Sequence, residues 1–209
     1  MSSRRAAQFG LFAACLTLVS SLGILMARAV EPFGNSGRGG RPAPEFSLRD
    51  TSGKLHSLAD YQKNTLVLYF SSTRCPVCNQ YSGRIIELAN TYAKDSRVQF
   101  VAVNTNLSSA GVAGLEEIRV QAGLVGQNFP TLLDPRAELA AKFSATHTPT
   151  FFVIAPGGII RYTGAFDDNR DAAHVKIHYV QDAIASLLAD RPLATSSTAT
   201  NGCSIKQPK

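Results

Sequence analysis

Apolar residues follow two rhythms along the chain. Leu66, Val67, Leu68, Tyr69 and Phe70 form an unbroken run, as a strand covered on both faces would, and Val98 to Asn104 repeats it. Between them Tyr81, Ile85, Leu88, Ala89 and Tyr92 recur at helical spacing and share one face. A shorter amphipathic helix is predicted from Gly111 to Gly123 through Val112, Leu115, Ile118 and Ala122. An extended piece at Pro130 to Leu133 and a short helix at Arg136 to Phe143 follow. Phe151 to Ile154, the Pro156-Gly157-Gly158 turn and Ile159 to Thr163 predict a hairpin. Ile177, Val180, Ile184, Leu187 and Leu188 stripe a last helix. Upstream, two short alternating segments flank Asp50-Thr51-Ser52-Gly53, a second hairpin signal, and Ser57 is placed to cap the turn after it. Strand, helix, strand, helix, hairpin and helix is the order of a three-layer α/β/α sandwich. Its central sheet is mixed, with the first strands parallel and the last pair antiparallel.

The ends depart from this pattern. Arg4 and Arg5 precede the apolar run Phe9 to Met26, which closes on Ala27-Arg28-Ala29, a small-x-small cleavage pattern. Residues 1–29 therefore read as a signal peptide or a membrane anchor. Either way the rest faces an extracytoplasmic space, as a periplasmic or membrane-tethered domain. Residues 30–45, rich in Gly, Pro and Arg, read as a flexible linker. The domain is expected over 46–191, and 192–209 is a polar, Ser/Thr-rich tail that carries Cys203.

Charge changes the picture little. The net charge of +6 over 209 residues includes Arg4, Arg5 and Arg28 in a leader without acids. The basic residues that remain are scattered, with no nucleic-acid footprint.

The chemistry lies in SSTRCPVCNQY, where the first buried strand hands over to a helix. A thiol in the first turn of a helix faces unpaired N–H groups and the positive end of the dipole, which stabilise a thiolate. Cys75 is thus the expected nucleophile. Cys78, one turn on, is the expected resolving thiol, and Pro76 fits the first helical position without losing a hydrogen bond. A zinc site would need a second ligand pair at metal spacing, and none follows. His174 and His178, with Asp171 and Asp182 on the same predicted helical face, read as a solvated stripe rather than a metal site. Cys203 is the odd thiol of an exported chain: an inert tail group, or a third redox partner that the tail folds back to the site.

FSLRDTSGKLHSLADY, LVLYFSSTRCPVCNQY and THTPTFFVIAPGGIIRYTG together resemble the thioredoxin-like superfamily. The likeness is to its redoxin branch, which includes the alkyl hydroperoxide reductase and thiol-specific antioxidant family and the TlpA/ResA-type oxidoreductases. The resemblance implies a thioredoxin-like fold and disulfide exchange through Cys75 and Cys78. It implies that Pro149 is a cis-proline lying against them, with the backbone of Thr148 free to pair with an extended substrate. Thiol and disulfide proteins are the implied partners, as substrate and as electron donor or acceptor, with no cofactor. Two other readings stay open. A peroxidase would use Cys75 as its nucleophile, although Ser72 stands where that family wants Thr, and neither Arg136 nor Arg161 is placed by spacing beside the thiolate. A Sco-like copper carrier would bind through Cys75, Cys78 and His147. That family, however, spaces its cysteines one residue further apart and lacks a proline at 149.

Overall fold

The computed structural model describes residues 39–105 and 111–206, which belong to one folded unit. The leader expected over 1–29, and the linker as far as residue 38, lie outside the described residues. Strand β1 (Arg41–Pro42) is followed by a hairpin of β2 (Ser47–Arg49) and β3 (Leu55–Ser57), then a 3-10 turn over Leu58–Tyr61. Ser57 opens that turn, its N–H and hydroxyl both donating to the Asp60 carboxylate. Next come β4 (Thr65–Ser71), α1 (Pro76–Thr91), β5 (Val98–Thr105), α2 (Gly111–Leu124), β6 (Thr131–Asp134) and α3 (Glu138–Phe143). The chain continues through β7 (His147–Thr148), β8 (Thr150–Ala155), β9 (Ile159–Gly164), α4 (Tyr179–Leu188) and β10 (Cys203–Ser204).

The main sheet has the order β1-β9-β8-β4-β5-β6, with β5 parallel to both β4 and β6. β8 runs antiparallel to β4 and β9, so the sheet is mixed and the fold is a thioredoxin-like α/β sandwich. The continuous apolar runs follow from this position. Leu66, Leu68 and Phe70 point to one face, toward α3 and the segment around Phe46, Leu58 and Tyr61. Val67 and Tyr69 point to the other, where residues of α1 and α4 pack. Phe70, Phe143 and Phe152 meet edge to face with centroids 5.0 to 5.8 Å apart. Each such pair contributes about 0.5–1.5 kcal/mol beyond the area it buries.

Three expectations are corrected. Arg41 and Pro42, read as linker, are a strand paired with Ile160 and Ile159. Two residues carry no alternation that a pattern could reveal; the trace lies in Gly40, where a Cβ would come within 2.6 Å of the Ile160 carbonyl. Ile177, expected on the last helical stripe, is 45% exposed, because α4 begins only at Tyr179. Before it, Asp171 caps a 3-10 turn over Ala172–His174, and the Asp168 carboxylate accepts from the Lys176 and Ile177 N–H groups. These side-chain bonds offer the backbone an alternative to helix, so His174 and His178 share no helical face. The third correction is the tail. Ser196 and Thr198 bond the backbone of Thr163, Cys203–Ser204 form β10, and Ile205 is buried in the core cluster of α3.

Candidate active site

β4 delivers the chain to α1 at one end of the sheet, and Cys75 is the residue that caps the helix. Its backbone is extended (φ −92°, ψ 109°) and its Sγ accepts the Cys78 N–H at 3.5 Å. Pro76, at the start of the helix, has no N–H to leave unpaired. Both thiols are buried, with no disulfide between them.

Opposite stands the loop around β7. The Thr148–Pro149 peptide is cis, and the protonated Cys75 thiol can donate to the Thr148 carbonyl at 3.3 Å. Cys75, Cys78, Pro76, Thr148 and Pro149 are therefore gathered at one place, from elements more than 70 residues apart.

The two thiols divide one proton. The Cys78 thiol, hydrogen-bonded to Cys75, lowers the Cys75 pKa to about 4 against the opposing effect of burial; Cys203, Thr148 and the Cys78 N–H add to it. The Cys78 thiol is pushed up, first by that shared hydrogen bond and then by burial. The Thr148 carbonyl, by contrast, can accept only from the protonated form and so works against the thiolate. The arrangement presents one thiolate and one proton-bearing thiol behind it.

Behind Cys78 lies a small cleft of about 60 Å³, lined by Tyr69, Ser71, Asn104, Gln121 and Gln127 among others, and by no acidic side chain among the described residues. His147 is half-buried in β7, with Nδ1 2.9 Å from Thr146 Oγ1. Successive strand side chains face opposite ways, which turns His147 away from the side Thr148 presents. Among the described residues no three His, Cys, Asp or Glu side chains are placed to hold a metal ion, so the copper set of Cys75, Cys78 and His147 is not assembled. Of the arginines considered for a peroxidase, Arg136 pairs with Glu138 at 2.8 Å on the surface and Arg161 lies on β9.

Of the two places the sequence left open for Cys203, the tail takes the one folded back to the site. β10 runs antiparallel to β7, with Cys203 opposite Thr148 and Ser204 opposite His147. The signals available were small: Gly202 before the cysteine and Ile205 just after it, in a tail whose other large apolar residue is Leu193.

Residues 40–163 match the AhpC/TSA family. The thiol-disulfide oxidoreductase ResA of Bacillus subtilis (strain 168) is 32% identical over 145 residues, covering 68% of this chain and 76% of the relative. Two crystal structures resemble it at a TM-score of 0.73. One is a hypothetical protein from Sinorhizobium meliloti 1021, 28% identical, with 80% of this chain and 93% of that one covered. The other is an uncharacterized conserved protein from Geobacillus kaustophilus, 29% identical, with 80% and 90% covered.

Proposed function

This chain belongs to the AhpC/TSA family and is a thiol-disulfide oxidoreductase; we propose that Cys75 and Cys78 are its redox pair and that it exchanges disulfides with protein substrates outside the cytoplasm. The observation that carries the site is the unequal pair, Cys75 held as a thiolate at the cap of α1 and Cys78 held protonated behind it. The extracytoplasmic location rests on the sequence of residues 1–29. Whether those residues are cleaved or anchor the chain, the domain faces the same compartment.

In the reducing direction the Cys75 thiolate attacks one sulfur of a substrate disulfide. The substrate S–S bond breaks, its other sulfur leaves as a thiolate and takes a proton, and Cys75 is joined to the substrate. Cys78 then loses its proton and attacks Cys75 Sγ. The second substrate thiolate is released, the Cys75–Cys78 disulfide forms, and two electrons have passed to the substrate. The steps run backward when the protein oxidises a dithiol. The backbone of Thr148 beside the cis Pro149 holds the substrate as an added strand, with Pro76 following the nucleophile at the start of α1. All electrons travel through sulfur, so the partners are other thiol and disulfide proteins.

Insulin reduction by dithiothreitol tests this. The wild-type chain should accelerate it, Cys75→Ser should abolish the acceleration, and Cys78→Ser should trap insulin on Cys75. Acceleration that survives in Cys75→Ser would remove Cys75 as the nucleophile.

A further inference from the structure

The edge of β7 that the proposed function leaves for a substrate is occupied by the chain's own tail. Cys203 and Ser204 pair with Thr148 and His147, the Ile205 N–H donates to the Thr146 carbonyl at 2.9 Å, and Thr148 Oγ1 donates to the Cys203 carbonyl at 3.4 Å. The fit is close: a Cβ on Gly202 would lie 1.9 Å from the Thr148 carbonyl oxygen, the same oxygen that faces Cys75. Ile205, 5% exposed, is inserted into the cluster that holds Phe143 and Ala145. Upstream, Thr198 Oγ1 accepts from the Ala165 N–H and meets the Tyr162 hydroxyl at 2.7 Å, so the segment is pinned on both sides of the cysteine. A glycine needed for approach, a buried anchor and a strand register that sets a thiol beside the nucleophile are separate observations. They describe a seated ligand.

We propose that residues 202–205 are a built-in substrate strand and that Cys203 is a third redox cysteine, exchanging with Cys75. The proposal rests on the reading of Cys75 as the nucleophile. Starting from the Cys75–Cys78 disulfide, the Cys203 thiol gives up its proton and its sulfur attacks Cys75 Sγ. The Cys75–Cys78 bond breaks, the Cys75–Cys203 bond forms, and Cys78 leaves as a thiolate that takes the proton. No electron enters or leaves, so the step is an isomerisation between two intramolecular disulfides. An external protein must displace this strand to reach Cys75, which makes the tail a competitor in the same site.

The test uses the full chain in mild detergent, with glutathione disulfide as oxidant, acid quenching, alkylation and peptide mass spectrometry. In Cys78→Ser, Cys75 should first take up glutathione and Cys203 should then displace it, so that a Cys75–Cys203 cross-link accumulates. In the double variant Cys78→Ser/Gly202→Val the tail is unseated. Cross-linking should slow at least about tenfold, the loss of a positioned neighbour, while glutathione capture by Cys75 persists. A stable Cys75–glutathione adduct with Cys203 alkylated, or equal cross-linking rates in the two variants, overturns the proposal. If wild-type Cys75 and Cys78 still close reversibly in that case, the oxidoreductase reading stands alone; if Cys75 takes up no glutathione, both fall. Should Cys78→Ser not fold, the wild-type chain at intermediate glutathione ratios is read instead. The species in which Cys78 is alkylated while Cys75 is linked to Cys203 is expected, and finding none overturns the proposal.

Discussion

The proposed role of Cys75 as nucleophile rests on where one residue falls. The Cys78 thiol donates to the Cys75 sulfur, and Cys203, Thr148 and the Cys78 N–H at the cap of α1 add to this against the opposing effect of burial, which brings its pKa to about 4. The depressed value makes the thiolate the resting form at neutral pH, lost as pH falls through about 4. The rate of Cys75 alkylation by iodoacetamide should therefore be nearly flat from pH 6 to 8 and half-maximal near pH 4, whereas an ordinary thiol would still be rising steeply near its pKa of about 8.5. In Cys78→Ala the midpoint should move up. These two cysteines were legible in the sequence because their chemistry depends on spacing and on a strand-to-helix junction, both written locally. Cys203 was legible as an odd thiol, either inert or folded back to the site as a third redox partner, but the sequence could not choose between the two, since its place depends on a two-residue pairing with β7. His147 shows the opposite error of scale: near the cysteines by resemblance, it is turned aside by the alternation of a strand.

At the scale of elements, α1 must be held so that its first turn meets β7. Arg84 on α1 does part of this. Its guanidinium bonds the buried Asp167 and the carbonyls of Asn169 (3.1 Å) and Arg170 (2.8 Å), and it lies 4.4 Å from the Tyr81 ring centroid. Asp167→Ala leaves a largely buried guanidinium without its counter-charge and should cost about 3–5 kcal/mol in urea unfolding. A second polar cluster sits under the β2–β3 hairpin, where His56 joins Asp50 (3.0 Å) and Tyr61 (2.7 Å). Burial works against the Asp50 charge, but hydrogen bonds from the Ser52 hydroxyl, His56 and the Ser52 and Lys54 N–H groups outweigh it and hold the carboxyl at about 2. Because that value lies below the unfolded one, its stabilisation is fully present above about pH 4 and is lost as pH falls toward 2. The stability gap between wild type and Asp50→Asn, read by thermal unfolding, should narrow by roughly 2 kcal/mol across that interval. A gap independent of pH would show that Asp50 acts through packing alone. The hairpin itself was legible from Asp50 to Gly53, while this network was not, because His56 and Tyr61 meet Asp50 only after the turn has formed.

For the whole molecule, periodicity carried the order of layers: runs apolar at every position require a sheet covered on both faces, and the helical stripes supply the covers. What it could not carry were the short edge pairings, β1 on β9 and β10 on β7, whose residues look polar because they contribute backbone rather than apolar side chains. The second of these decides how the site meets its partners. A thiolate stabilised in the reduced state also shifts the redox balance toward the dithiol. The protein is therefore expected on the oxidising side of the roughly −270 mV typical of thioredoxin.

The measurement that bears most directly on Cys75 and Cys78 is an equilibrium titration of the full chain in glutathione buffers, with alkylation and mass spectrometry assigning every cysteine. The account predicts one reversible two-electron transition in which Cys75 is always a member of the disulfide, paired with Cys78 or with Cys203, at a midpoint above about −270 mV. A Cys75 and Cys78 pair that never closes reversibly, or a Cys75 that passes only to sulfenic acid, would contradict it.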